Sequence, residues 1–128
     1  MSRYLIVALI VIAILFAACG KKPQPVAQKF FAAIEKQDFE GAKQYATKDS
    51  EKLLDFIKAM YDKMKPEQKE EMDKKTFKVS NVTVQGDTAI VNYQEISSDD
   101  PGNPASKQLK MVKENGDWKV KLEKNSAK

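Results

Sequence analysis

Apolar positions along this chain change period twice, and each change marks a new kind of element. Tyr4 to Phe16 is one unbroken apolar run, preceded by Arg3 and followed by Ala17-Ala18 and Cys19. From Pro25 the apolar residues fall at helical spacing. Val26, Phe30 and Ile34 recur with Ala27, Phe31 and Ala33 beside them, while Gln28, Lys29, Glu35 and Lys36 take the other side. This predicts an amphipathic helix starting near Pro25, a residue suited to the first helical position because the N–H it lacks would have no partner there. Asp38 is placed to cap a short second helix, Phe39 to Ala46, with Phe39, Ala42, Tyr45 and Ala46 inward. Asp49 or Ser50 can cap a third, whose stripe is Leu53, Ile57, Met60, Tyr61 and Met64, widened by Leu54 and Phe56. Pro66 opens a fourth, Glu67 to Lys74, with only Met72 apolar, acids early and lysines late, as the helix dipole favours.

From Thr76 the period drops to two. Phe77 and Val79 share a face, and the phase then shifts to Val82 and Val84, which predicts a bulge near Ser80-Asn81. Gln85-Gly86-Asp87 turns the chain into a second strand, Thr88 to Ser97. Ser98 to Pro104 reads as a longer turn-rich loop, followed by a strand from Lys107 to Lys113 with Leu109 and Met111 inward. Asn115-Gly116 suits a type I′ hairpin, and in the last strand, Asp117 to Lys124, Trp118, Val120 and Leu122 alternate with Lys119, Lys121 and Glu123. Helices followed by an antiparallel meander make an α+β domain, in which the helices must cover the apolar face of the sheet. About 100 residues, Pro25 to Lys124, suffice for one core and not for two. Asn125 to Lys128 reads as a frayed tail.

The apolar N-terminal run is shorter than the about 20 residues that a spanning helix needs. With Arg3 before it and small residues after it, Met1 to Ala18 reads as an export signal. Leu15-Phe16-Ala17-Ala18-Cys19 resembles the bacterial lipobox, with Phe16 where leucine is usual. That resemblance implies a diacylglyceryl group on Cys19 and cleavage before it, leaving the protein exported and anchored to a bacterial membrane, facing the periplasm or cell exterior. A free thiol, an intermolecular disulfide and an uncleaved signal anchor are the alternatives. Cys19 to Gln24 would then be a tether. The five residues Gly20 to Gln24 reach at most about 20 Å, with Lys21 and Lys22 at headgroup level.

Composition removes several function classes. Without residues 1–18 the chain carries 21 lysines against 18 acidic residues, a net charge of +3, and no arginine or histidine. A nucleic-acid reader draws on arginine for bidentate contacts, so nucleic acid is not an expected partner. The missing histidine excludes Ser-His-Asp triads and histidine metal sites. Cys19, the only cysteine, is committed to lipid on this reading, and no glycine-rich phosphate loop occurs. No cofactor is expected, and the protein reads as not an enzyme.

The run Val26-Ala27-Gln28-Lys29-Phe30-Phe31-Ala32-Ala33-Ile34, with Gln37 to Thr47, resembles the opening of small lipoproteins grouped as a lumazine-binding-like domain of unknown function. Val84 to Val91 and Lys110 to Val120 match their later segments. The matching positions are apolar, capping or turn residues, and no lumazine-contacting motif carries over. The resemblance implies a nuclear-transport-factor-like (cystatin-like) cone, in which a curved antiparallel sheet wraps a long helix and can leave a pocket. Such folds host isomerases, dehydratases, binding modules and inert scaffolds, so the fold alone assigns no activity.

Candidate sites follow. Tyr45, Tyr61, Tyr93 and Trp118 are candidates to line a cone pocket, or are core aromatics with satisfied polar tips. Lys110, Lys119 and Lys121 share the outer face of the last hairpin; they form a basic surface, or serve solubility and edge protection. Asp99, Asp100 and Asn103 lack the spacing of a calcium loop and read as turn residues. Glu70 and Glu71 diverge on a surface helix. The sequence supports a non-catalytic lipoprotein domain that binds a small hydrophobic ligand or an envelope protein. A structural or stress-related envelope component, or a pocket enzyme using tyrosine and carboxylates, are the alternatives.

Overall fold

The computed structural model describes residues 22–124. The export segment, Cys19 and the tail Asn125 to Lys128 lie outside the described residues. Helix α1 spans Pro23–Glu35, α2 Phe39–Lys43, α3 Lys48–Asp62 and α4 Pro66–Asp73. Four strands follow, β1 Lys75–Gln85, β2 Thr88–Ser97, β3 Asp100–Glu114 and β4 Asp117–Lys121. They form a single antiparallel sheet in the order β1-β2-β3-β4. The α+β architecture is the one that the hydrophobic pattern predicts.

Four differences from the pattern have physical causes. α1 begins at Pro23 rather than Pro25, because Pro23 takes the N-terminal position and is itself buried. Pro23 and Gln24 thus belong to the helix and not to a tether. The second helix stops at Lys43, because residues 45–47 pair with β4: the Val120 N–H donates to the Tyr45 carbonyl and the Thr47 N–H to the Val120 carbonyl. That pairing covers the outer edge of β4. Thr47, not Asp49 or Ser50, caps α3 by accepting from the Ser50 N–H. Finally, the turn-rich stretch after Ser97 is not a connecting loop. Ser97 pairs with Asp100 and Glu95 with Ala105, so Pro101 to Pro104 bulge out of register within β3. No strand flanks β3 on its other side there, so the two prolines break no ladder.

The bulge in β1 falls where the change of phase requires it. The register shifts between Val79 and Asn81, which returns Val82 and Val84 to the face of Phe77 and Val79. Asn115 and Gly116 both take positive φ, 54° and 81°, as a type I′ hairpin demands.

The inner face of the sheet carries Ala89 and Val91 from β2, Leu109 and Met111 from β3, and Trp118 and Val120 from β4, all buried. Helix α1 lies across it, meeting β1 at one edge and β4 at the other, so the sheet curves around the helix. Ala27, Phe30 and Phe31 form its buried stripe. Phe31 sits 4.6 Å from the Tyr93 ring and stacks at 5.2 Å on Phe77, closing the far end of the core. α3 packs on α2, and its main contact with the sheet is at β4. The inner face beyond β4 is therefore left without a helical cover from α3.

Candidate functional site

Helix α3 carries two apolar stripes, and only one is spent on folding. Leu54 is buried, and Tyr61 meets the Phe39 ring edge-on at 5.7 Å, so that stripe holds α3 to α2. Leu53, Phe56 and Met60 recur at helical spacing beside it; Phe56 is 61% exposed and Met60 49%. Such exposure of large apolar groups on one stripe marks a surface the fold itself does not cover.

Leu53 and Phe56 of this second stripe wall a cleft of about 1100 Å³. Its apolar lining is Leu53, Phe56 and Ile57 from α3, Tyr93 and Leu109 from the inner face, and Leu122 from the chain after β4. Ile90, Gln108 and Lys110 also line it, and the strand register places these on the outer face. The cleft therefore passes over the edge of β3 that is left free where β4 stops at Lys121. Lys52, Lys110, Lys121 and Lys124 stand on its rim, with Glu123 the one acid among the described lining residues. Lys110 lies 4.0 Å from Glu123.

A polar clasp ties the start of α3 to Leu122 beside the cleft. Leu122 N–H donates to Ser50 Oγ at 2.8 Å. Ser50 Oγ lies 2.7 Å from Thr47 Oγ1, and its proton, not needed for Leu122, is free for that second bond. Further along the inner face, Glu95 is held between Lys75 and Lys107, each at 2.9 Å. Burial alone would push the Glu95 carboxyl up, and the two ammonium groups outweigh it and hold it below its ordinary range. Burial, with the charge of Glu95 nearby, pushes the Tyr93 hydroxyl up. Tyr93 thus meets the cleft as a neutral phenol able to donate a hydrogen bond.

The aromatic residues singled out in the sequence do not share one pocket. Tyr93 lines the large cleft. Tyr45 and Trp118 line a second hollow of about 360 Å³ beside Lys22 and Lys29. Tyr61 lines neither; its hydroxyl donates to Asp73 at 3.4 Å and Lys69 lies over its ring, which ties α3 to α4. The lysines divide likewise. Lys110 and Lys121 flank the cleft, whereas Lys119 borders the second hollow and donates to the Gln44 carbonyl at 2.6 Å. Asp99 pairs with Lys74 and Asp100 accepts from Asn103, which accounts for both as turn residues. No group of three or more metal-ligating side chains occurs among the described residues. Helical spacing had singled out Leu53 and Phe56; the one cue to their role is that α3 has more apolar surface than a single packing partner can bury.

A helix-wrapped antiparallel sheet with a lateral cleft defines the NTF2-like, cystatin-like class of α+β folds. A Campylobacter jejuni protein provisionally named an NTF2-like transpeptidase superposes with a TM-score of 0.57 at 21% identity, over 80% of this chain and 100% of the other. A Nostoc punctiforme protein of unknown function with a cystatin-like fold gives 0.52 at 21% identity, over 81% and 90%. A Mycobacterium tuberculosis protein of unknown function gives 0.51 at 16% identity, over 91% and 74%. At these identities the likeness is one of fold. Residues 17–121 match the model of a family described as domain of unknown function DUF4878, and the chain belongs to that family. No curated protein matches the chain significantly.

Proposed function

We propose that this chain is a non-catalytic binding protein of the bacterial cell envelope, which holds a ligand with an apolar body in the cleft beneath α3. The observation that carries this reading is the half-buried Leu53 and exposed Phe56 of α3 at the wall of a cleft large enough for a small molecule. Side-chain chemistry speaks against catalysis there. Among the described residues lining the cleft there is no serine, cysteine, threonine or histidine to serve as an activated nucleophile. Glu95, an acid on the inner face of β2, is engaged by two lysines and held ionised at a depressed pKa, which suits a structural ion pair better than a general base. The Campylobacter neighbour's name suggests transpeptidation, and the cleft lining gives that chemistry no nucleophile of its usual kinds.

Anchoring completes the reading. The lipobox-like Leu15 to Cys19 and the resemblance to small lumazine-binding-like lipoproteins support export and diacylation of Cys19. Because the helix starts at Pro23, only Gly20 to Lys22 separate it from Cys19, a reach of about 10 Å rather than 20. A domain tethered that closely would work at the membrane face. Growth with alkyne-palmitate tests this half of the proposal. Label is expected on the full chain and absent from Cys19→Ser, and unlabelled wild-type chain would overturn the anchor.

A further inference from the structure

The cleft separates its two chemistries in space. Beneath α3 the lining is apolar, and over the edge of β3 it becomes cationic. There Lys110 and Lys121 are direct cross-strand partners on the outer face. Like charges placed opposite one another on a sheet cost stability unless a counter-charge lies between them. Glu123 approaches Lys110 at 4.0 Å, and its single charge faces four lysines around the rim. The arrangement therefore has an anionic position to fill, adjoining an apolar channel.

We propose that the occupant is a single-chain fatty carboxylate. This rests on the reading of the cleft as a binding site. The acyl chain lies along Leu53, Phe56 and Ile57, against Leu109 and Leu122, and the carboxylate sits over the β3 edge between Lys110 and Lys121. Lys52 and Lys124 add to the positive field at the mouth. At this position Lys110 and Lys121, less the nearby Glu123, leave one net positive charge, which matches a head of one negative charge. A second occupant, an extended peptide added to the free edge of β3, is disfavoured because Pro101 and Pro104 interrupt that edge.

The test uses the full chain in phosphatidylcholine nanodiscs, with a photoreactive palmitate probe and the photoreactive alcohol of the same chain length, and maps cross-links by peptide mass spectrometry. The palmitate probe is expected to label the peptides that hold Leu53 to Met60 and Leu109. The alcohol is expected to label the same sites about tenfold less, the size of one lost charge-assisted hydrogen bond. Combined Lys110→Ala and Lys121→Ala substitution should bring palmitate labelling down to the alcohol level and leave the alcohol unchanged, with circular dichroism reporting whether the variant is folded. Equal labelling of the cleft by both wild-type complexes would overturn the carboxylate and leave the binding cleft standing. A photoreactive lysophosphatidate that outcompetes palmitate would overturn it in favour of a phosphate head. Labelling outside the cleft, or none, would overturn both the carboxylate and the cleft as a ligand site. The comparison of probes on the wild-type chain decides the matter even if the double variant misfolds.

Discussion

The hydroxyl of Ser50, at the start of α3, accepts a hydrogen bond from the backbone N–H of Leu122 at 2.8 Å, across 72 positions of sequence. The bond falls just past the end of β4. It draws the chain toward α3 instead of along β3, and so leaves the β3 edge open and brings Leu122 to the wall of the cleft. One buried hydroxyl, itself bonded to Thr47, thereby shapes the feature on which the functional reading rests.

Ser50→Ala should therefore destabilise the domain by about 1–3 kcal/mol, because it leaves the Leu122 N–H and the Thr47 hydroxyl short of partners in a buried place. Urea unfolding measures this as a lower midpoint at unchanged slope. A loss under ~0.5 kcal/mol, within the usual scatter of surface substitutions, would show that the clasp is slack.

A second site of tension is the end of α1. Gln37 takes φ of 58°, and the Asp38 N–H reaches the Ala33 carbonyl at 2.9 Å while the Gln37 N–H reaches Ile34 at 3.0 Å. This is a Schellman close with a side chain where glycine is usual, and the Gln37 Oε1 is buried without a partner. Gln37→Gly should raise stability by about 0.5–1 kcal/mol, the left-handed penalty less the extra entropy of glycine in the unfolded chain. A thermal melt reports it, and a lower Tm would contradict it.

The Glu95 ion pairs predict a pH dependence. Because the folded carboxyl titrates below its ordinary value of 4.5, its contribution is complete above that pH. It is lost as pH falls through the depressed folded value. Glu95→Gln should cost about 0.5–1 kcal/mol at pH 7, a modest figure because both lysines are part exposed, and nothing once wild-type Glu95 is protonated. Unfolding curves at pH 7 and through the acid limb check this; a constant difference would contradict it.

These relationships show what the sequence makes legible. Strand order, the Ser80 bulge and the Asn115-Gly116 turn follow from local period and turn chemistry, which act between neighbouring residues. The end of α2 does not, because Tyr45 and Thr47 exchange helix for pairing with Val120, far along the chain. The cleft is legible only in part. Lys110 and Lys121 stand out by alternation, and Tyr93 by its type. Joining them to Leu53 and Phe56 requires knowing where α3 sits, which depends on its packing against α2 and on the Ser50–Leu122 bond. Tyr61 was a candidate for the same pocket by residue type, and the packing of α3 on α4 uses it elsewhere.

Phe56 separates stability from binding. At 61% exposure its side chain contributes little to the core, so Phe56→Ser should change stability by no more than ~0.5 kcal/mol. Binding of the photoreactive palmitate probe should fall severalfold, since the acyl chain loses its largest contact. Lost stability with retained labelling would mean that Phe56 serves the fold.

Lys21 and Lys22 offer a test of the anchor's strength. Each can add about 1 kcal/mol of attraction to an anionic membrane surface, small beside the acyl chains of a diacylated cysteine. Replacing both with glutamine should leave membrane retention unchanged in the lipidated chain and reduce it when Cys19→Ser blocks acylation. Fractionation after carbonate washing distinguishes the cases, and a large loss from the lipidated chain would contradict the assignment of the hold to lipid.

The most direct measurement is native mass spectrometry of the full chain released from its own membrane. The account predicts a chain starting at a diacylated Cys19 and carrying one noncovalent fatty-acid adduct, which Leu53→Glu abolishes while the acylated chain remains folded. An adduct-free wild-type chain, or an adduct equally present in Leu53→Glu, would contradict the claim that the cleft beneath α3 is the binding site.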